Sequence, residues 1–249
     1  MLHIIKSYLK FLFHSKNEHG VHSPFVFDLV TKCFYDNTKY PEYETLKSYR
    51  KSLLENKNTI DVTDFGAGSR VFKSNTRQIA KIAQTAGISP KRAELLFRIV
   101  NYFQPETILE IGTSTGYSTL WLADAAKVVD GKVITLEINA FRSAQAKKYA
   151  KEFELQDFIE FWVGDAADYL KQEHVPFDLI LLDAERGSYV SYWEDLKRLL
   201  TSTGSTLIVD NVISHAAEVK PLLELIKQDE AFMSTILAVG AGLCMVVVK

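Results

Sequence analysis

From residue 107 onward the chain alternates short, nearly continuous apolar runs rich in Val, Ile and Leu with longer amphipathic stretches. An apolar run without polar alternation has both faces buried, and a parallel sheet covered by helices on both sides meets that requirement. The spacing predicts strands over 107–111, 132–137, 158–163, 178–183 and 206–210, with helices over 117–127, 140–153, 166–173, 188–200 and 215–228. Asn139 is placed to cap the second of these helices. The chain then continues through 232–239, a Gly-Ala-Gly turn at 240–242, and 243–248. A turn that tight joins two strands only as antiparallel neighbours.

Residues 1–106 read differently. Ser23-Pro24 and Ser89-Pro90 mark helix starts, and no strand of comparable quality is expected there. The stretch 75–103 is expected to pack on the sheet, because Leu95, Leu96, Ile99, Val100 and Phe103 share one helical face. With 249 residues, 47% hydrophobic and 24% charged, there is enough chain for one large core plus an extension. The expected division is an N-terminal helical extension over 1–88 and an α/β domain over 89–249. A formal charge of −2 lacks the basic excess of most nucleic-acid binders. No apolar run reaches the ~18 to 20 residues that span a bilayer. The apolar start at 2–13 is broken by Lys6 and Lys10 and lacks a small-residue cleavage site, so the chain is expected in the cytoplasm, without a membrane partner. Cys33 and Cys244, far apart and flanked by apolar residues, suit reduced core thiols.

The first strand runs into Gly112-Thr113-Ser114-Thr115-Gly116-Tyr117-Ser118, followed by a helix. Glycines at such a turn let backbone approach a ligand where a side chain would collide. The G-x-x-x-G spacing is neither the G-x-G-x-x-G of dinucleotide folds nor a phosphate loop. Glu137 closes the next strand, about 25 residues on, where an acid can accept both hydroxyls of a ribose. Asp165 closes the third, in Gly164-Asp165-Ala166. Each acid also suits the N-cap of the helix behind it. Their common position along the carboxyl edge of the sheet favours a ligand, because open α/β sheets bind there. A second glycine segment, Asp64-Phe65-Gly66-Ala67-Gly68-Ser69, has no such alternation after it and reads as a plain turn.

The stretches ILEIGTSTGYST, VITLEIN, FWVGDAADYL, DLILLDAERGSYVSYW and TLIVDNV resemble the class I S-adenosylmethionine-dependent methyltransferases over residues 107–249. In detail they resemble the cation-dependent O-methyltransferases of the catechol and caffeoyl-CoA type. The resemblance implies a Rossmann-like seven-stranded sheet in the order 3-2-1-4-5-7-6, strand 7 antiparallel, and a homodimer. Carried over by position, Glu110, Gly112 and Ser118 would hold the methionine end of the cofactor, with Gly116 in the same loop and Asp183 beside it. Glu137 would hold the ribose, and Asp165 with Ala166 the adenine edge.

Asp183 ends the fourth strand and Asp210-Asn211 the fifth. Adjacent parallel strands lie about 4.8 Å apart, so these oxygen-bearing side chains can converge. Two carboxylates about 4 Å apart repel by about 4 kcal/mol at an effective dielectric near 20, so the site wants a cation or a raised pKa. Oxygen donors without Cys or His favour magnesium, calcium or manganese over zinc. The resemblance implies a divalent cation, magnesium first, held by Asp183, Asp210 and Asn211. Such an ion would acidify a hydroxyl and grip vicinal oxygens of a catechol-like acceptor. One position departs from the family: its general-base lysine, three residues after Asp183, is here Arg186. A guanidinium stays protonated, and suits an oxyanion or an anionic substrate instead. Asp183 and Arg186 are therefore the catalytic candidates.

Other residues carry weaker signals. His19 and His22 read as turn histidines, and His215 as a helix cap that could act as a base. Tyr189, Tyr192 and Trp193 fall at helical spacing and read as packing, with Tyr189 able to face an acceptor pocket. Lys91, Arg92 and Arg98 read as a solvated helix face. The leading function is S-adenosylmethionine-dependent O-methyl transfer to a hydroxyl of a small molecule, assisted by a divalent cation. A second reading moves the same chemistry to hydroxylated uridine in transfer RNA, which a basic surface of Arg70, Lys73, Arg77 and Lys81 would support. A third is a non-catalytic cofactor-binding or interaction protein, encouraged by Arg186. The glycine spacing and the Asp210-Asn211 pair disfavour a nicotinamide dehydrogenase.

Overall fold

The computed structural model describes residues 24–61, 74–85, 88–172 and 174–249. Helix α1 (Pro24–Asp28) runs into a π-helical turn (Leu29–Phe34), and α2 (Glu42–Glu55) follows. A two-stranded antiparallel ribbon, β1 (Thr59–Asp61) with β2 (Thr76–Gln78), leads to α3 (Ile79–Thr85) and α4 (Pro90–Phe103). The helix at 90–103 starts where its sequence predicts: Pro90 occupies the first turn and the Ser89 hydroxyl accepts from the Arg92 amide.

The remaining chain builds the sheet from β3 (Thr107–Ile111), β4 (Lys132–Glu137), β5 (Ile159–Val163), β6 (Leu179–Leu182), β7 (Thr206–Asp210), β8 (Phe232–Leu237) and β9 (Leu243–Val248). Between them run α5 (Tyr117–Val128), α6 (Ala140–Glu152), α7 (Ala166–Leu170), α8 (Tyr189–Leu199) and α9 (Ala216–Gln228). The order across the sheet is β5-β4-β3-β6-β7-β9-β8, which counted from β3 is 3-2-1-4-5-7-6. β3 to β7 pair in parallel, and β9 lies antiparallel to both β7 and β8. This is the expected Rossmann-like methyltransferase sheet.

Alternate strand residues face opposite sides, so each central strand feeds two cores. Ile108, Leu179, Leu181, Ile208, Met245 and Val247 join the side chains of α2, α4 and α5. Leu109, Ile111, Ile180, Leu182, Leu207 and Val209 join those of α8 and α9. β6 and β7 are buried along their whole length, which is why their sequences show no polar alternation. Leu46, Tyr49 and Leu53 of α2 lie in the same apolar cluster as Trp121 of α5, so the extension and the sheet share a core.

Most expected elements match to within a few residues. Phe158 belongs to a tight turn before β5 rather than to the strand, β6 is shorter at both ends than 178–183, and α7 stops at Leu170. The β1–β2 ribbon departs from the strand-free reading of 1–106; its short, largely exposed strands carry no hydrophobic period. Among the described residues no helix is long and apolar enough to cross a membrane. His19, His22 and the 64–69 glycine segment lie outside the described residues, as do Arg70 and Lys73.

Because Leu46 is fully buried in the shared core, Leu46→Ala should lower stability by about 2 to 5 kcal/mol. Urea denaturation followed by far-UV and tryptophan signals should still show one coincident transition; a separate transition for the extension would disprove the shared core.

Candidate active site

The turn after β3 is shaped by close backbone approach. Gly112 has φ +111°, and a Cβ there would stand 2.1 Å from the Asp183 carbonyl oxygen. No larger residue lets the turn press against the end of β6, where the Asp183 amide donates to the Ile111 carbonyl at 3.0 Å. The Gly112 and Thr113 amides donate to the Leu136 carbonyl, tying the turn to the end of β4. From the extension, the Tyr49 hydroxyl donates to the Thr115 carbonyl at 2.6 Å. A small recess results, lined by Ile88, Gly112, Thr113, Ser114, Thr115, Tyr117, Ser118 and Asp183.

The three acids along this edge end up in different settings. Glu110 is fully buried beneath the turn and does not line the recess; one of its oxygens accepts from the Thr119 and Thr135 hydroxyls at 2.5 and 2.6 Å. Burial pushes its carboxyl up to about 7, opposed by hydrogen bonds from Ser118, Thr119 and Thr135. Glu110 therefore supports the turn from below through one carboxylate oxygen. Glu137 accepts from the Ser114 amide at 2.8 Å and the Asn139 amide at 2.9 Å, with Arg142 3.7 Å away. Burial raises its pKa against Arg142 and those two amides. Each carboxylate oxygen has a second lone pair, so these contacts leave acceptor capacity for a diol. Asp165 is exposed and caps α7 through the Ala167 amide at 2.9 Å, directly before Ala166. The Gly164 amide donates to the Glu137 carbonyl, which puts Glu137 and Asp165 on one rim.

Asp183, Asp210 and Asn211 come together as expected. The Asn211 side-chain amide donates to Asp183 Oδ1 at 3.1 Å, and the Asn211 backbone amide to Asp210 Oδ1 at 2.6 Å. Asn211 adopts φ +64°, a left-handed conformation that asparagine tolerates better than most residues. The surprise is Arg92, which corrects its reading as part of a solvated face. It is only 7% exposed, and its guanidinium pairs with Asp210, itself 2% exposed. Burial lowers the pKa of Arg92, with Asp183 opposing. Burial likewise raises the pKa of Asp183, with Arg92, Arg186 and the Asn211 hydrogen bond opposing. The signal was present in the sequence: Arg92 lies three, four and seven residues before Leu95, Leu96 and Ile99, on the apolar stripe of α4.

This donor set does not fit a divalent ion as it is folded. One carboxylate already holds a guanidinium, and the Asn211 amide offers hydrogens, not oxygen, to Asp183. A divalent ion about 4 Å from a guanidinium would meet a repulsion of roughly 8 kcal/mol at an effective dielectric near 20.

The remaining candidates separate cleanly. Arg186 Nε donates to Glu218 on α9 at 2.8 Å, a partner absent from the sequence reading. Tyr189 is fully buried with its hydroxyl 3.3 Å from the Ala184 carbonyl, and Tyr192 and Trp193 are buried too, so all three pack. His215 occupies the cap position of α9 without a capping side-chain bond; its Nδ1 lies 2.9 Å from the Ser214 hydroxyl. Arg98 donates from Nε to the Cys33 carbonyl at 3.0 Å, and Lys91 is exposed. Arg77 is buried, which removes it from the basic surface expected for an RNA partner. Cys33 and Cys244 are buried free thiols, each pushed up to about 12 by burial.

The O-methyltransferase family profile matches residues 72–248, well over half of the chain. The chain belongs to this O-methyltransferase family. Among its curated relatives are catechol O-methyltransferases of Niastella koreensis, 34% identical over 143 residues, and of Mycobacterium tuberculosis, 33% identical over 141 residues. The first alignment covers 55% of this chain and 64% of the relative, the second 56% and 61%. The chain thus spans less than two thirds of either relative's length. In structure it is similar to an O-methyltransferase of Bacillus cereus solved with SAH, with TM-score 0.62 and 25% identity over 90% of this chain and 97% of that one. It is also similar to the O-methyltransferase TomG of Streptomyces achromogenes, solved with SAM, with TM-score 0.60 and 27% identity over 65% and 81% of the two chains.

The buried Glu110 has a measurable consequence. Its pKa is about 7 in the folded chain against about 4.3 unfolded, so the folded state binds the extra proton. Stability from this group is greatest below pH 4.3, declines as pH rises to 7, and is level above, a loss of about 4 kcal/mol in all. Glu110→Gln should flatten this part of the profile in urea denaturations at successive pH values; an unchanged difference between pH 5 and pH 7.5 would refute it.

Proposed function

We propose that this chain is an S-adenosylmethionine-dependent O-methyltransferase acting on a hydroxyl oxygen of a small molecule. The observation that carries the reading is the continuous edge formed by the Gly112–Ser118 turn, Glu137 and Asp165, with Asp183 as the sole carboxylate among the residues lining the recess. Within it, backbone of the turn and Ser118 would receive the methionine end of the cofactor. Glu137 would accept the two ribose hydroxyls, and Asp165 with Ala166 would border the adenine.

Transfer requires an oxygen nucleophile in line with the sulfonium methyl. An oxygen lone pair forms the new O–C bond as the C–S bond breaks, its electron pair returning to sulfur. The hydroxyl proton leaves to Asp183 or to water. Asp183 also gives the sulfonium a negative neighbour, and Arg186, anchored by Glu218, stands where an oxyanion or an anionic substituent can be met. The divalent ion implied by the family resemblance has no step here, because Arg92 already answers Asp210.

The relatives named for catechol favour a phenolic acceptor. The cytoplasm remains part of this proposal, supported by two unpaired buried thiols. A homodimer is not needed for it, since every residue invoked stands on one chain.

Calorimetric titration with SAH tests the cofactor half. Glu137→Ala should weaken binding about 10- to 100-fold, the worth of hydrogen bonds to a charged acceptor. Mass spectrometry over a panel of phenols tests the other half, with a methyl ether as the expected product. SAH binding without any product would support a non-catalytic cofactor binder instead, and no SAH binding would end the reading altogether.

A further inference from the structure

Arg92 enters the carboxylate cluster as a built component of the fold. Its side chain leaves α4 on the apolar stripe, and its stem passes beneath Gly240 in the turn between β8 and β9. A Cβ on Gly240 would stand 2.3 Å from Arg92 Cδ, so the turn has a vacancy that the arginine stem fills. Gly240 also has φ +61°, the left-handed region where glycine is at ease. At the far end the guanidinium meets Asp210, and its charge is felt by Asp183. Arg92 Nε is buried without a hydrogen-bond partner among the described residues.

Charge accounting gives the same answer. Arg186 is shared between Asp183 and Glu218, whereas Arg92 pairs with Asp210 directly and also acts on Asp183. The Asp210 charge is thus answered before any ion arrives. We infer that Arg92 is a built-in cation that takes the place of a divalent ion in the Asp183–Asp210–Asn211 cluster, so that this chain's methyl acceptor is a single acidic hydroxyl rather than a chelating vicinal diol. A divalent ion can draw two neighbouring oxygens into its coordination shell. A guanidinium committed to Asp210 offers hydrogen bonds but no coordination shell, so it does not chelate a pair of neighbouring oxygens. The acceptor oxygen then needs its own acidity, since no ion is present to supply it.

The acceptor part of this inference rests on the O-methyltransferase reading; ion exclusion rests on the Arg92 geometry alone. The test measures both separately. Manganese is titrated into the full chain and free Mn²⁺ is counted by electron paramagnetic resonance, for the wild type, Arg92→Lys and Arg92→Gln. The wild type and Arg92→Lys should leave millimolar Mn²⁺ free, whereas Arg92→Gln should bind it at least about a hundredfold more tightly. Micromolar Mn²⁺ binding by the wild type, lost in Asp183→Asn, would overturn the inference, and this arm requires no Arg92 variant to fold. In parallel, methyl transfer to a catechol and to a monophenol of matched acidity is followed with and without EDTA. Rates within roughly threefold of each other and indifferent to EDTA are expected for a site without a chelating ion. A strong catechol preference that EDTA abolishes would overturn it. SAH titrations on the same samples show whether the cofactor reading has failed independently of the ion.

Discussion

Asp183 and Asp210 stand at the ends of adjacent strands, Asp210 buried and Asp183 partly so, and such a pair wants positive charge close by or a raised pKa. Here the requirement is met by a side chain from another layer of the molecule. Arg92 is carried by α4, whose Leu95, Leu96 and Ile99 are locked in the core on one face of the sheet. Removing one partner of a buried pair costs about 3 to 5 kcal/mol, far more than the pair contributes beyond an apolar replacement. The interaction therefore specifies where α4 must sit relative to β6 and β7. The turn at Gly240, the left-handed Asn211 and the approach of Gly112 to Asp183 all belong to the same small region.

How much of this was legible in the sequence depended on whether a residue's environment leaves a periodic trace. Strands buried on both faces do so, and their boundaries fall within a residue or two of those read from the apolar runs. Ser89 and Asn139 also announce themselves, because a capping side chain has a local partner only two or three residues away. The β1–β2 ribbon leaves no trace, since neither short strand buries a whole face. Arg92 was misread for a different reason. A basic residue beside Lys91 suggests a wet surface, and only its phase with Leu95, Leu96 and Ile99 shows that it points inward.

Within the site, the edge could be read and the division of labour along it could not. That Glu137 and Asp165 share a rim follows from their places at successive strand ends. Glu110 occupies an equally regular position one residue inside β3, yet strand alternation turns it below the glycine turn, into the hydroxyls of Thr119 and Thr135. Arg186 in turn depends on Glu218, 32 residues away, which no local pattern connects to it.

The Tyr49 hydroxyl resting on the Thr115 carbonyl ties the helical extension to the turn that borders the recess. Free energy linked through such a contact is reciprocal. Whatever rigidifies the turn from above tightens the seating of α2 from below by the same amount, and loosening α2 weakens the grip on whatever occupies the recess. The extension is in this sense a thermodynamic partner of the ligand.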